Sequence, residues 1–359
     1  MSFDKSVKTL IRPEIQTLGA YHVLDAEGMI KLDAMENPYP LPEGLKKQWA
    51  AVLAGPAVNR YPDPRAPGVE KRLREVMNIP QDMDILLGNG SDELIQMIML
   101  AITSSERVVM APEPGFVMFS MLAGITGMKY QGIVLQSDFS LDLESALYAL
   151  RKNKPVVLFL AQPNNPTGNL FPVEHVRALV ETAPGLVVID EAYTPFCDSD
   201  YLSLAREFDN VLIMRTFSKV GFAGLRLGFL IGRPAWLEQF DKVRLPYNIN
   251  SLTQAGAAFA LEHFEDFQAQ ATRIRADREE LAQALQETSG LEVFPSEANF
   301  VLVRTFDMDA PHVYAELLKR RVLIKCLDAA HPLLHNCLRI TVGTSEENSR
   351  CVAALREIL

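Results

Sequence analysis

Short uninterrupted apolar runs alternate along the chain with stretches in which apolar residues return every three or four positions. Between Ile85 and Phe229 the runs "DILLG", "RVVMAP" and "PVVLFLAQ" are followed by the helical patterns "SDELIQMIMLAI", "FVMFSMLAGI" and "VEHVRALVETA". A run without polar alternation is a strand buried on both faces, and a helix after each strand makes the next strand parallel to it. The pattern therefore predicts an α/β fold whose large domain has three layers, αβα, around a mainly parallel sheet. Ligands in such sheets sit at the carboxyl ends of the strands. Gly90, the segment Pro163 to Gly168, Asp190, Ser218 and Lys219 all fall at such ends.

The pattern breaks at "PYNIN", residues 246–250, and a long helical stretch, "LTQAGAAFALEHFEDFQAQATRIRADREELAQALQET", follows. The tail reads as strand "EANFVLVR", helix "APHVYAELLKRR", strand "VLIK", strand "CLRITVG" and helix "SEENSRCVAALREIL", which suits a smaller α+β domain. The expected division is an arm, 1–35, that joins the small domain, a large domain, 36–248, and a small domain, 249–359. The Pro-rich segments "MENPYPLPEG" and "GPAVNRYPDPRAPG" are expected to need a partner surface to order them.

Composition narrows the function classes. With 359 residues, 48% hydrophobic and 22% charged, the chain is long enough for a large core. A net charge of −10 without a long basic run argues against a nucleic-acid partner. The longest apolar runs are far shorter than the ~20 residues of a membrane helix. Cys197, Cys326, Cys337 and Cys351 are scattered without a CxxC pair, and no secretory apolar region opens the sequence, so a cytoplasmic setting is expected.

The chemistry centres on "TFSKVGFAGLRLGF", residues 216–229. A lysine desolvated at a strand end, with Arg226 nearby, has a lowered pKa and becomes a nucleophile able to form a Schiff base. The Arg226 fork and the hydroxyls of Thr216 and Ser218 suit a phosphate. An imine-forming lysine beside a phosphate cradle points to pyridoxal phosphate. That cofactor needs a buried carboxylate for its ring nitrogen, for which Asp190 is placed, and donors for its ring oxygen, for which Asn165 and Tyr193 are candidates. Ser91 and Asp92 open a helix after a Gly turn, where backbone N–H groups meet phosphates, and Phe116 offers a face for the ring. Singly these signals are weak, but Asn165, Asp190 and Lys219 follow three separate strands at spacings of 25 and 29 residues, near one βα unit.

"QPNNPTG", "DEAY" and "TFSKVGFAGLRLGF", in that order, resemble the fold-type I pyridoxal-phosphate aminotransferases, over nearly the whole chain. Within that superfamily "ENPY", "RYPDP", "GNGSDE", "APEPGFVMF" and "HPLLHNCLRITVGT" most resemble the histidinol-phosphate aminotransferases. The resemblance implies that Lys219 bonds the cofactor, that Asp190 pairs with the pyridine nitrogen, and that Asn165 and Tyr193 hold the ring oxygen. It implies Ser91, Asp92, Thr216, Ser218 and Arg226 at the phosphate, with Tyr61 reaching the phosphate in a neighbouring subunit, hence a homodimer. Arg339 is implied as the anchor for the anionic group of either substrate, histidinol phosphate or 2-oxoglutarate/glutamate, with Tyr21, Asn37 and Lys325 as further substrate contacts.

Three positions depart from the family pattern. Met35 stands where Asn is common, Phe116 where Tyr is common, and Lys325 where some members carry a second arginine. Rival activities on the same cofactor chemistry are an aromatic amino-acid aminotransferase and a decarboxylase of a phosphorylated amino acid. A non-catalytic ligand sensor would be expected to carry an appended DNA-binding segment. His331 and His335 have i, i+4 spacing, but Pro332 disfavours a helix there and no HExxH glutamate is present, so no zinc site is expected.

Overall fold

The computed structural model describes residues 3–20 and 24–359. A short strand, β1 (Ile30–Lys31), precedes seven strands that form the central sheet: β2 (Asp84–Gly88), β3 (Val108–Glu113), β4 (Lys129–Val134), β5 (Val157–Ala161), β6 (Leu186–Asp190), β7 (Val211–Thr216) and β8 (Gly228–Gly232). Their spatial order is β2-β8-β7-β6-β5-β3-β4, and every pairing is parallel except the two made by β8.

Side-chain alternation explains why the central runs are apolar throughout. On β6, Val187 and Ile189 enter one apolar cluster while Leu186 and Val188 enter the other. On β7, Val211 and Ile213 likewise oppose Leu212 and Met214. These central strands are thus covered by helices on both faces, which is the expected αβα layering. One layer includes the helices Ser91–Ile102, Val117–Thr126 and Pro234–Asp241; the other includes Pro67–Val76, Leu143–Asn153 and Val173–Thr182.

The C-terminal part adds β9 (Leu291–Val293), β10 (Phe300–Thr305), β11 (Val322–Leu323), β12 (Lys325–Cys326) and β13 (Cys337–Thr341). An antiparallel sheet, ordered β12-β13-β10-β9, packs with the helices Phe264–Gln286, Ala310–Lys319 and Ser345–Ile358 around a third cluster. Ile30, Leu32 and Met35 belong to that cluster, and β1 pairs in parallel with β11. Among the described residues no helix is long and apolar enough to cross a membrane.

One reading of the tail is corrected and one is refined. "VLIK" is two strands in different sheets, because β11 pairs with β1 while β12, after the single unpaired residue Ile324, joins β13. The long helical stretch is two helices, Ser251–Glu262 and Phe264–Gln286, broken at His263, whose φ of −110° and ψ of 28° are not helical. The first carries Ala257, Ala260 and Leu261 into the large cluster, whereas the second carries Ile274, Leu281 and Leu285 into the small one. The helix after residue 248 therefore still packs on the large layer, and the chain passes between the two cores along the helix that follows.

Candidate active site

The strand ends bring their polar residues into one cavity of ≈ 100 Å³, lined by Met35, Ser91, Asp92, Phe116, Asn165, Asp190, Tyr193, Thr216, Ser218, Lys219 and Arg226, with Ala161 and Ala192. Ten of these are the residues expected from the sequence. A larger cavity of ≈ 410 Å³ lies beside the carboxyl ends of β6 and β7, and among the described expected residues only Thr216 reaches it.

Lys219 Nζ donates to the carbonyl of Ala34 at 3.3 Å and lies 5.7 Å from the centre of the Tyr193 ring. Burial, and after it the Arg339 guanidinium, lowers its amine from 10.5 to about 8. The sequence pointed to Arg226 as the neighbouring cation, but Arg339, brought in from the small sheet, has the greater effect. Asp190 closes β6 with its Oδ1 accepting from the Ala192 N–H at 3.0 Å. Burial raises its carboxyl to about 7. A buried acid so placed is best satisfied by a cationic N–H.

Asn165 joins the two ends of the site. Its Nδ2 donates to Tyr193 Oη at 3.0 Å, and its Oδ1 accepts from Arg339 Nη1 at 2.6 Å. Burial raises the Tyr193 phenol, so it stays protonated and able to donate. Arg339 Nη2 also donates to the Asp33 carbonyl at 3.0 Å, and the guanidinium lies 5.3 Å from the Phe300 ring centre. Lys325 is directly opposite Arg339 across the β12–β13 ladder, so the two cationic side chains leave the sheet on one face.

The corner at Arg226 is built for an anion. Arg226 Nη1 donates to Ser218 Oγ at 3.3 Å, Ser218 Oγ lies 3.0 Å from Thr216 Oγ1, and Asp92 Oδ2 is 3.5 Å from Arg226 Nη2. Arg226 itself adopts φ 48°, which turns its fork back toward the start of the helix Ser91–Ile102. Two glycines keep the corner open. A Cβ on Gly90 would lie 2.6 Å from Arg226 Nη2, and one on Gly228 would lie 2.7 Å from the Ser91 nitrogen.

These features fit pyridoxal phosphate: an amine of lowered basicity, a buried acid for a ring N–H⁺, donors for a ring oxygen, and an open corner of N–H, hydroxyl and guanidinium groups for a phosphate. Phe116 lines the same cavity, supported edge-on by Phe119 at 5.5 Å between ring centres.

Other expected residues are placed differently. Asn37 does not line the cavity: its Nδ2 donates to the Val220 carbonyl and to Gln270 Oε1, and its Oδ1 accepts from the Tyr39 N–H. It fastens the loop after Lys219 to the helix Phe264–Gln286, and its polar atoms are occupied in doing so. Tyr61 is 81% exposed, stacked on Tyr247 at 4.5 Å between ring centres, and does not line the cavity of its own chain. Tyr21 lies outside the described residues.

Three contributors were not legible beforehand. The carbonyls of Asp33 and Ala34 hold Arg339 and Lys219, and the Met35 side chain lines the cavity. Met35 takes φ 53°, with its N–H donating to Thr341 Oγ1 and its carbonyl accepting from Asn299 Nδ2. Backbone carbonyls carry no residue-type signal, so only the family departure at Met35 marked this loop.

Residues 27–355 match the family model described as aminotransferase class I and II. The chain is 50% identical over 346 residues to histidinol-phosphate aminotransferase 2 of Nitrosococcus oceani, covering 96% of each chain. It is 48% identical over 351 residues to the histidinol-phosphate aminotransferase of Chromobacterium violaceum, covering 98% of each. The solved histidinol-phosphate aminotransferase of Sinorhizobium meliloti in complex with pyridoxal-5'-phosphate superposes with a TM-score of 0.85 at 25% identity, over 98% of this chain and 97% of that one. With the family model spanning both cores and these relatives covered almost end to end, the chain belongs to the class I and II aminotransferases.

Proposed function

We propose that the chain is a pyridoxal-phosphate-dependent aminotransferase that moves the amino group of histidinol phosphate to 2-oxoglutarate, interconverting imidazole acetol phosphate and histidinol phosphate in histidine biosynthesis. The observation that carries this reading is the meeting of Lys219, Asp190, Asn165, Tyr193 and Arg226 in one cavity, with Arg339 hydrogen-bonded to Asn165 at its edge. The names of the relatives at about half identity support the choice of substrate.

When bound, pyridoxal phosphate supplies an electron sink for charge left at the substrate Cα. Asp190 keeps the ring nitrogen protonated, and Tyr193 and Asn165 orient the ring oxygen. Ser91, Asp92, Thr216, Ser218 and Arg226 hold the phosphate, with Asp92 serving through its backbone N–H because its carboxylate competes with an anion for Arg226. Lys219 Nζ takes the proton from the substrate Cα, a task suited to an amine whose pKa is lowered to about 8. Arg339 and the neighbouring Lys325 bind the substrate anion. Two adjacent cations suit a phosphate monoester in one half-reaction and a dicarboxylate in the other. The chain acts as a cytoplasmic homodimer in this reading, with Tyr61 completing the partner subunit's phosphate site. The exposure of Tyr61, Val58 and Leu245, at 81%, 74% and 72%, supports a covering surface there.

A single-turnover experiment tests the substrate. Cofactor-loaded protein is mixed separately with histidinol phosphate, phenylalanine and phosphothreonine while the cofactor's visible band is followed. A fast change with histidinol phosphate alone, reversed by 2-oxoglutarate, is expected. An equal or faster response to phenylalanine, or carbon dioxide release from phosphothreonine, overturns the substrate. Lys219→Ala is expected to lower steady-state turnover by at least about 10³-fold while cofactor binding persists.

A further inference from the structure

Asp190 and Thr216 are each next in sequence to a buried charge that the chemistry above does not use. Glu191 Oε2 accepts from Arg215 Nε at 2.7 Å, with side-chain exposures of 0% and 10%. By the alternation of β6 and β7, Glu191 and Arg215 follow the side of Ile189 and Ile213; both line the ≈ 410 Å³ cavity, which Thr216 also reaches, while Asp190 lines the smaller one. The pair is part of a wider network. Arg215 Nη2 donates to Asp200 Oδ2 at 2.9 Å, Glu191 Oε1 accepts from the Tyr201 N–H at 2.6 Å, and the Glu191 N–H donates to the Met214 carbonyl at 2.8 Å. Tyr201 Oη in turn reaches Gln162 Oε1 at 3.4 Å, three residues before Asn165.

We propose that Glu191 and Arg215 are positioning residues: their ion pair behind the sheet ties the ends of β6 and β7 together and so sets the separation between the ring-nitrogen anchor, Asp190, and the phosphate anchor at Thr216. A buried ion pair is a weak stabiliser, because desolvation offsets most of its attraction, and well-packed apolar side chains would hold two strands as well. What the Arg215 fork adds is direction, since it fixes two carboxylates, on Glu191 and Asp200, at once. A ligand gripped at both ends is sensitive to that spacing, whereas one gripped at one end is not.

The proposal rests on the reading that pyridoxal phosphate fills the cavity, and its test separates the two. Apoproteins of the wild type, the double variant Glu191→Gln/Arg215→Met and Arg215→Lys are titrated with pyridoxal phosphate and with pyridoxal, which lacks the phosphate. Affinity is read from the visible band, and unfolding midpoints are recorded alongside. In the double variant the preference for pyridoxal phosphate over pyridoxal is expected to fall by about 10-fold or more, with pyridoxal affinity itself little changed. Arg215→Lys keeps the charge without the fork and is expected to fall between. An unchanged preference in the double variant overturns the inference, including when only the unfolding midpoint drops, because that is what a purely structural pair would give. Should the double variant fail to fold, Glu191→Gln alone, which keeps the acceptor for Tyr201, decides by the same ratio. Failure of the wild type to bind pyridoxal phosphate at all sinks the cofactor reading instead.

Discussion

Burial acts on Lys219 and Asp190 alike, and because one is a base and the other an acid it moves them toward each other, to about 8 and about 7. For Lys219 the consequence is kinetic. The rate at which apoprotein captures the cofactor should rise with pH up to about 8 and level off above it, as the neutral amine becomes the dominant form. Stopped-flow absorbance checks this, and a rate still climbing steeply at pH 10 would show an amine of ordinary basicity. For Asp190 the consequence is also thermodynamic. Its folded pKa of about 7 lies above the ordinary 3.8, so the folded protein binds the extra proton between those values. The associated stability is present below the ordinary value and lost as pH rises through about 7. Asp190→Asn apoprotein, which keeps an acceptor for the Ala192 N–H, should therefore match the wild type near pH 4 and melt several degrees higher at pH 8. Calorimetric scans across that range test it, and turnover of the loaded variant should fall by about 10²-fold or more as the ring nitrogen loses its partner.

The phosphate corner depends on how strands and helix meet. Gly228 pairs with Gly88 on one side and Thr216 on the other, and a side chain there would press on the backbone of Gly90 and Ser91, which cannot swing away. Gly228→Ala should cost about 1–3 kcal/mol of stability and weaken cofactor affinity by at least about 10-fold. Denaturation and absorbance titration measure the two separately, and an unchanged affinity would show that the corner yields without harm. The sequence pattern described the central strands well, because strands buried on both faces must be apolar throughout. It was silent on β4, whose edge position leaves residues such as Lys129, Gln131 and Val134 toward solvent, and on β8, hidden inside the lysine motif. The breaks at His263 and Ile324 were illegible because apolar periodicity continues across both, and only the choice of core on each side tells them apart.

At the scale of the whole molecule, sharing of the site between subunits would have a distinctive signature. If Tyr61 serves the partner subunit, Lys219→Ala and Tyr61→Ala chains are each impaired alone, but a mixed dimer retains one intact site, with Lys219 from one chain and Tyr61 from the other. Unfolding and refolding an equal mixture should restore about a quarter of wild-type activity. No gain on mixing would confine each site to a single chain.

The sequence alone determined the αβα layering, since burial on two faces dictates composition, and it determined most of the cavity, since a lysine, a carboxylate and an asparagine at successive strand ends must converge. It also carried the family likeness. What only the tertiary structure decided are contacts between segments remote in the chain: Arg339 as the main cation acting on Lys219, the backbone carbonyls of Asp33 and Ala34 as its companions, Asn37 turned to hold a loop, and the Glu191–Arg215 pair behind the sheet. Their physical reason is common. Residue type and spacing report which face a side chain occupies within its own element, while a partner on another element is set by how the elements and the two cores pack.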